Sequence, residues 1–183
     1  FHGGRFSLSG TIFRKTAPLS GRILLPSPAA ELAHRMAHPK KGVYPMKQNH
    51  KKTDHGPEAC TVNMPAAARR NTNFRTAFWT GCQLQLTFMQ IPVRGEIGLE
   101  CHPDTEQFVR VEQGQALVCM GSCKEKLDFQ CRLGPGDAVF IPQGCWHNIC
   151  NTGRCPLKLS SIYAPPHHPR GTVHPTKEDA ENW

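Results

Sequence analysis

The sequence predicts an all-β protein, a sandwich or barrel of short strands, on three observations. Short stretches with period-two alternation recur through the second half of the chain. Turn residues separate them at close spacing. Glycine and proline number 16 each, which suits many turns better than a helical bundle.

The patterned region begins near Asn71. Residues 83–91 alternate, with Leu84, Leu86 and Phe88 on one face. Residues 108–112, 116–120, 139–141 and 157–163 read as further strands, and His147 falls on another. The separators are Pro92 with Gly95, Gly114, Gly121, Gly134 and Gly136 flanking Pro135, Pro142 with Gly144, and Gly153. After Tyr163 the run Ala-Pro-Pro-His-His-Pro cannot form a central strand. Thr176, with an acid three residues on at Asp179, has the form of a helix start, so a short terminal helix is expected.

At 183 residues the chain suits one ordinary domain, and 38% hydrophobic residues leave part of it outside a core. The net charge of +8 is unevenly placed. Residues 1–58 hold 10 Lys/Arg against 3 Asp/Glu, whereas residues 59–183 hold 12 against 11. The folded part is close to neutral, which argues against nucleic acid as a partner. Residues 1–58 lack a sustained period and are rich in Arg, Lys, Ser, Pro and His. They read as a disordered or non-native N-terminal extension, with residues 59–164 as the barrel and 165–183 as a tail carrying the helix. The composition of 1–58 also resembles a mitochondrial transit peptide.

Nine cysteines without a C-x-x-C pair exclude zinc-ribbon spacing, and an odd number argues against a secreted disulfide framework. No apolar stretch approaches the roughly 18–20 residues of a membrane span. The expectation is a cytoplasmic protein with reduced thiols and no membrane partner.

Two segments carry chemistry. On a strand, residues i and i+2 share a face, so Glu100 and His102 converge while Leu99 and Cys101 point away. On the next strand Glu106, Phe108, Arg110 and Glu112 form one parity set and Gln107, Val109 and Val111 the other. The charges mark the first set as solvent-facing, so Gln107 rather than Glu106 is expected inside. In the second segment a Pro142-x-Gly144 corner leads to His147. A carboxylate, two imidazoles and an amide oxygen on neighbouring strands make a metal site of O and N donors. Glu100, His102, Gln107 and His147 are the expected ligands of one divalent ion, whether Zn, Mn or Fe. Trp79 and Trp146 read as packing residues. Two readings stand for His167, His168 and His174, contact with a pocket rim or metal and a polar tail lying over the barrel, and the second is preferred. Gly134, Gly136 and Gly144 are turn glycines, since no Lys-Ser/Thr follows and no helix starts there.

These segments resemble the two motifs of the cupin superfamily. The second matches in full: Gly136, Pro142-x-Gly144, His147 and Asn151. The first matches in the spacing of His102, Gln107 and Gly114. It departs in carrying Glu100 where the usual first His stands, Gln107 where the usual Glu stands, and Gly95 one place late. Asn73 to Gly81, Ile97 to Asp104 and Tyr163 to His174 are further similar to a group of small bacterial single-domain cupins, loosely labelled mannose-6-phosphate isomerase-like. The resemblance implies a jelly-roll (double-stranded β-helix) barrel, a homodimer, a bound metal ion and a small-molecule ligand. The Gln, His, Glu, His set is similar in kind to the zinc site of phosphomannose isomerases with Gln and Glu exchanged. No Arg/Lys cluster is evident to clamp a phosphate, and Arg94, Arg132 and Lys158 suit turn or surface roles better.

Three classes of function stay open: a metal-dependent enzyme, isomerase-like or Fe(II) dioxygenase-like; a small-molecule-binding module without turnover; and a barrel kept for dimerisation. Substrate and catalytic residues are not fixed by the sequence. The hypothesis that the natural protein starts at Met46 rests on Lys41-Gly42-Val43, which AAG-GGA-GTN can encode with a ribosome-binding GGAG upstream. Edman sequencing of the native protein is expected to read Met46 or Lys47 first; a read beginning within residues 1–45 overturns it.

Overall fold

The structure is a computed structural model that describes residues 53–182. Of the extension expected over residues 1–58, residues 1–52 lie outside the described residues. Helix α1 (Met64–Arg70) comes first, followed by strands β1 (Arg75–Thr80), β2 (Gln85–Ile91), β3 (Glu106–Gln113), β4 (Ala116–Gly121) and β5 (Phe129–Leu133). Strands β6 (Ala138–Ile141), β7 (Trp146–Asn151), β8 (Leu157–Ala164) and β9 (Val173–His174) follow, then helix α2 (Lys177–Glu181).

The strands form two antiparallel sheets, one in the order β6-β3-β8-β2-β1-β9 and one in the order β5-β4-β7. This is the expected all-β class of jelly-roll type, with the expected C-terminal helix. Thr176 caps α2 through the Asp179 amide, and the Asp179 carboxylate accepts from the Thr176 amide in return. Helix α1 was not legible. It is seven residues, about two turns, long, too short for a periodic signal, and starts on an Asn63 side chain that accepts from the Ala66 amide.

Register divides the interior into two ends. Across β2 and β8, Ile91 faces Leu157, Met89 faces Leu159, Thr87 faces Ser161 and Gln85 faces Tyr163. Across β8 and β3, Leu159 faces Val111, Ser161 faces Val109 and Tyr163 faces Gln107. One end is thus apolar and continues into Val118, Met120 and Ile149 of the small sheet. The other end turns polar at Thr87, Ser161, Gln85 and Gln107, all buried.

The outer face of the large sheet is less exposed than its charges suggest. Leu86 and Phe88 pack under Ala67 and Ala68 of α1, with Phe78, Trp79 and Ile162 around them. Glu112, expected in the solvent-facing set, is buried. It accepts from Arg110 Nη1 (3.0 Å) and Ser160 Oγ (2.7 Å), and α1 packs over β3 and β8 beside it. Parity identified the face correctly, but parity says nothing of what covers it.

Asp54 ties three pieces of chain together. Its Oδ1 accepts from the amides of Gly56 and Thr80 (3.0 Å each), and its Oδ2 accepts from Thr80 Oγ1 (2.6 Å) and the Gly171 amide (3.0 Å). Burial opposes ionisation, but these donors outweigh it and hold the carboxyl below its usual range. A depressed folded value contributes stability that is present at neutral pH and lost as pH falls through it. Asp54→Asn is therefore expected to unfold about 1–3 kcal/mol more easily at pH 7, with the gap narrowing below about pH 4. Urea titrations at both pH values check this, and a gap that does not change with pH refutes the assignment.

Candidate metal centre

The segment after β2 returns along β7 and sets the site. The Asn151 amide donates to Gly95 O (2.8 Å), the Ile97 amide to Ile149 O (3.0 Å), and Glu100 and His147 exchange both backbone bonds (3.0 and 2.9 Å). Directly opposed residues project to one face. Glu100 and His147 therefore point inward together, and His102 follows at i+2.

The corner at Pro142 fixes the second motif against the first. The Gly144 amide donates to His102 O (2.8 Å) and the Cys145 amide to Pro142 O (3.1 Å). Gly144 sits at φ 73°, a left-handed conformation that disfavours a side chain. Asn151 closes the base of the strand. Its Nδ2 donates to the carbonyls of Ile91, Pro92 and Cys155 at 2.9–3.1 Å, and its Oδ1 accepts from the Gly153 amide.

Glu100 Oε1 lies 3.4 Å from Nε2 of both His102 and His147. One donor atom from each of the three residues falls within 4.8 Å of the others, a set able to hold a metal ion. His147 is fully buried, and its Nδ1 donates to Cys145 O (2.9 Å), which leaves Nε2 with its lone pair toward the site. Gln107 is on the interior face, 4% exposed, while Glu106 is exposed. Gln107 Nε2 donates to Ser161 Oγ (2.9 Å), so its free oxygen is Oε1. Glu100 Oε1, both Nε2 atoms and Gln107 Oε1 are all buried without a hydrogen-bond partner among the described residues.

Burial opposes the charge on Glu100, but His102, His147 and the more distant Arg75 outweigh it and hold the carboxyl far below its usual range. The side chain is a quarter exposed, so it occupies the open side of the cluster rather than its floor.

The tail is more than a polar cover. The His167 ring lies 4.0 Å from that of His102 and stacks on Tyr163 at 5.6 Å, and His168 packs edge-on to Tyr163 at 5.0 Å. Burial, then the charge of Arg75, pushes His168 down to about 2, so that ring is neutral. Burial likewise pushes the Tyr163 phenol up. His174 of β9 pairs across from Arg75 of β1. Sequence reasoning ranked the pocket-rim reading of His167 and His168 second because prolines surround them and no period places them. Arg75 was missed: a single arginine in a short strand reads as surface, yet it is 5% exposed.

An antiparallel jelly roll with an acid–imidazole cluster between its sheets defines a class of small β-barrel proteins that commonly bind a metal. The chain belongs to the cupin superfamily: the family described as Cupin domain matches residues 87–163. The Bacillus subtilis (strain 168) protein YrkC is 51% identical over 127 residues, spanning 69% of this chain and 68% of its own. Protein L612 of Acanthamoeba polyphaga mimivirus is 34% identical over 113 residues, 61% of this chain and 69% of its own. The crystal structure of BH2720 from Bacillus halodurans is similar with a TM-score of 0.71 and 53% identity, covering 72% of this chain and 99% of that one.

Asn151→Ala removes three donated bonds and one accepted bond from a buried position, so a loss of about 2 kcal/mol or more is expected in denaturant unfolding. A loss below about 0.5 kcal/mol means the amide does not brace the strand.

Proposed function

We propose that the chain is a metal-dependent enzyme acting on a small oxygen-rich molecule, a sugar or small organic acid, with one divalent ion held by Glu100, His102, Gln107 and His147. One observation carries this reading: four donor atoms of those side chains are buried and unpartnered. Each such atom is costly to bury alone; one cation between Glu100, His102 and His147, whose donor atoms lie within 4.8 Å of one another, would satisfy three of them, and Gln107 Oε1 is offered as the fourth ligand. The donor set fits a divalent ion of zinc, manganese or iron type. Bound there, the ion supplies a Lewis acid that polarises a substrate oxygen.

The protein's own residues do the rest. The Cys145 carbonyl fixes the His147 tautomer and Ser161 turns the Gln107 oxygen inward. Glu100 stands on the open side, where a substrate enters, and Tyr163 and His167 wall the approach. An isomerase-like reaction is the first reading, with the ion polarising a carbonyl oxygen at a position the protein ligands leave open. A dioxygenase-like reaction with iron is the second reading, favoured by the close trio of two imidazoles and one carboxylate. A cytoplasmic homodimer belongs to the same proposal; the edge strand β6 offers Phe140, 74% exposed and packed on Phe108 at 5.0 Å, as an apolar contact.

Elemental analysis of protein purified without added metal is expected to find about one divalent ion per chain. Glu100→Ala and His147→Ala should each cut that content about tenfold or more while circular dichroism stays that of a β-protein. Full metal retention by both variants would place the ion elsewhere.

A further inference from the structure

The interior holds one group that the metal reading leaves unused. Arg75 faces Met89 of β2 and His174 of β9 in register, and Met89 belongs to the buried core between the sheets. The Arg75 side chain therefore enters the barrel rather than the solvent, and it is 5% exposed. Among the described residues no carboxylate lies within ion-pair distance of it; its guanidinium lies over the Phe74 ring (5.4 Å to the centroid) and neighbours the Tyr163 hydroxyl, neither of which carries a neutralising charge, and its Nε is buried without a hydrogen-bond partner. A buried guanidinium left so is costly unless something else pairs with it. Its charge acts on Glu100, Tyr163, His167 and His168, the cluster and its walls.

Resting on the metal-centre reading, we propose that Arg75 is the anion-recognition residue of that centre and that the substrate is a small carboxylate, its charged end on Arg75 and a neighbouring oxygen toward Glu100, His102 and His147. Charge favours this. With neutral imidazoles and a neutral amide, Glu100 offsets only half of a divalent ion, and Arg75 adds a further positive charge to the same interior. The planar fork of a guanidinium matches the two oxygens of a carboxylate.

Phosphate is the weaker candidate, because it calls for more cations than one. The other basic groups considered from the sequence are engaged elsewhere. Arg94 occupies the turn closed by the Gly95 amide on Pro92 O, Arg132 lies on the exposed strand β5, and Lys158 is tied to Asn71 O and Gln90 Oε1.

The test compares wild type with Arg75→Met and Arg75→Gln, each brought to one manganese per chain and checked by elemental analysis. Calorimetric titration uses glycolate, its uncharged methyl ester and inorganic phosphate as probes. Glycolate is expected to bind wild type better than either other probe, and to lose about tenfold or more in affinity in both variants at unchanged metal content. Wild-type glycolate affinity in either folded, metal-loaded variant overturns the assignment, as does a wild type that prefers phosphate or ignores glycolate. If wild type holds no metal, the metal reading has failed separately. The inference is then scored by melting temperature in chloride-free buffer: glycolate must raise that of wild type and not that of Arg75→Met, and equal shifts overturn it.

Discussion

The reciprocal backbone pair between Glu100 and His147 is the constraint on which the site depends. Two opposed residues that exchange both hydrogen bonds have their Cβ atoms roughly 5 Å apart on one face. The acid and the ring are thus held by the ladder rather than by their own torsions. His102 inherits its direction from Glu100 through the pleat, and its carbonyl is held by the Gly144 amide at the corner that precedes His147. The Cβ positions of Glu100 and His147 cannot separate without breaking main-chain bonds. Such a site is organised before anything binds, which keeps the entropy of ordering low at the moment of binding.

Preorganisation carries a cost that the rest of the barrel offsets. Beside the acid–imidazole cluster the interior buries Gln85, Thr87, Gln107, Ser161 and Tyr163. Several of their polar atoms have no partner. The opposite end, from Met89 and Ile91 across Val109, Val111, Leu157 and Leu159 to Val118 and Ile149, is an apolar cluster, with Arg75 entering beside Met89. A second apolar layer on the outer face joins α1 to Leu86 and Phe88. Two hydrophobic layers around one polar end let the fold keep charges and unpaired donors in its interior, the pattern expected where local strain serves a site.

Much of the fold was legible because the strands alternate and glycines and prolines punctuate them. The parity argument at Gln107 and Glu106 was decisive, since one residue of register separates an interior amide from an exposed acid. The same argument was incomplete at Glu112, where the outer face is covered by a helix too short to show a period. Strand β5 (Phe129–Leu133) alternates poorly because it lies at the edge of the small sheet with both faces largely open. The cross-strand meeting of Glu100 with His147 could be expected only from the motif, because nothing local in residues 95–102 names a partner 47 positions away. Arg75 was illegible, and His167 and His168 were ranked as a polar cover, for one shared reason: their burial comes from tertiary contacts.

The tail shows how such contacts are made firm. A segment of prolines and histidines has no ladder of its own, yet Gln85 takes the place of one. Its Nε2 donates to His168 O (2.7 Å) and its Oε1 accepts from the His168 amide (2.9 Å), so a side-chain amide pairs with a backbone amide as a strand neighbour would. Three residues on, Asp54 captures the Gly171 amide, and Thr172 Oγ1 bonds Pro169 O within the turn. The wall that carries His167 is therefore clamped from inside the barrel by β2 and from outside by the segment preceding α1. A loop so held behaves as part of the scaffold, with His167 at a fixed distance from His102 rather than sweeping over the mouth. On the proposed reading, selectivity at this centre combines shape set by the tail with charge set by Arg75, and both belong to the same folded unit as the proposed metal donors.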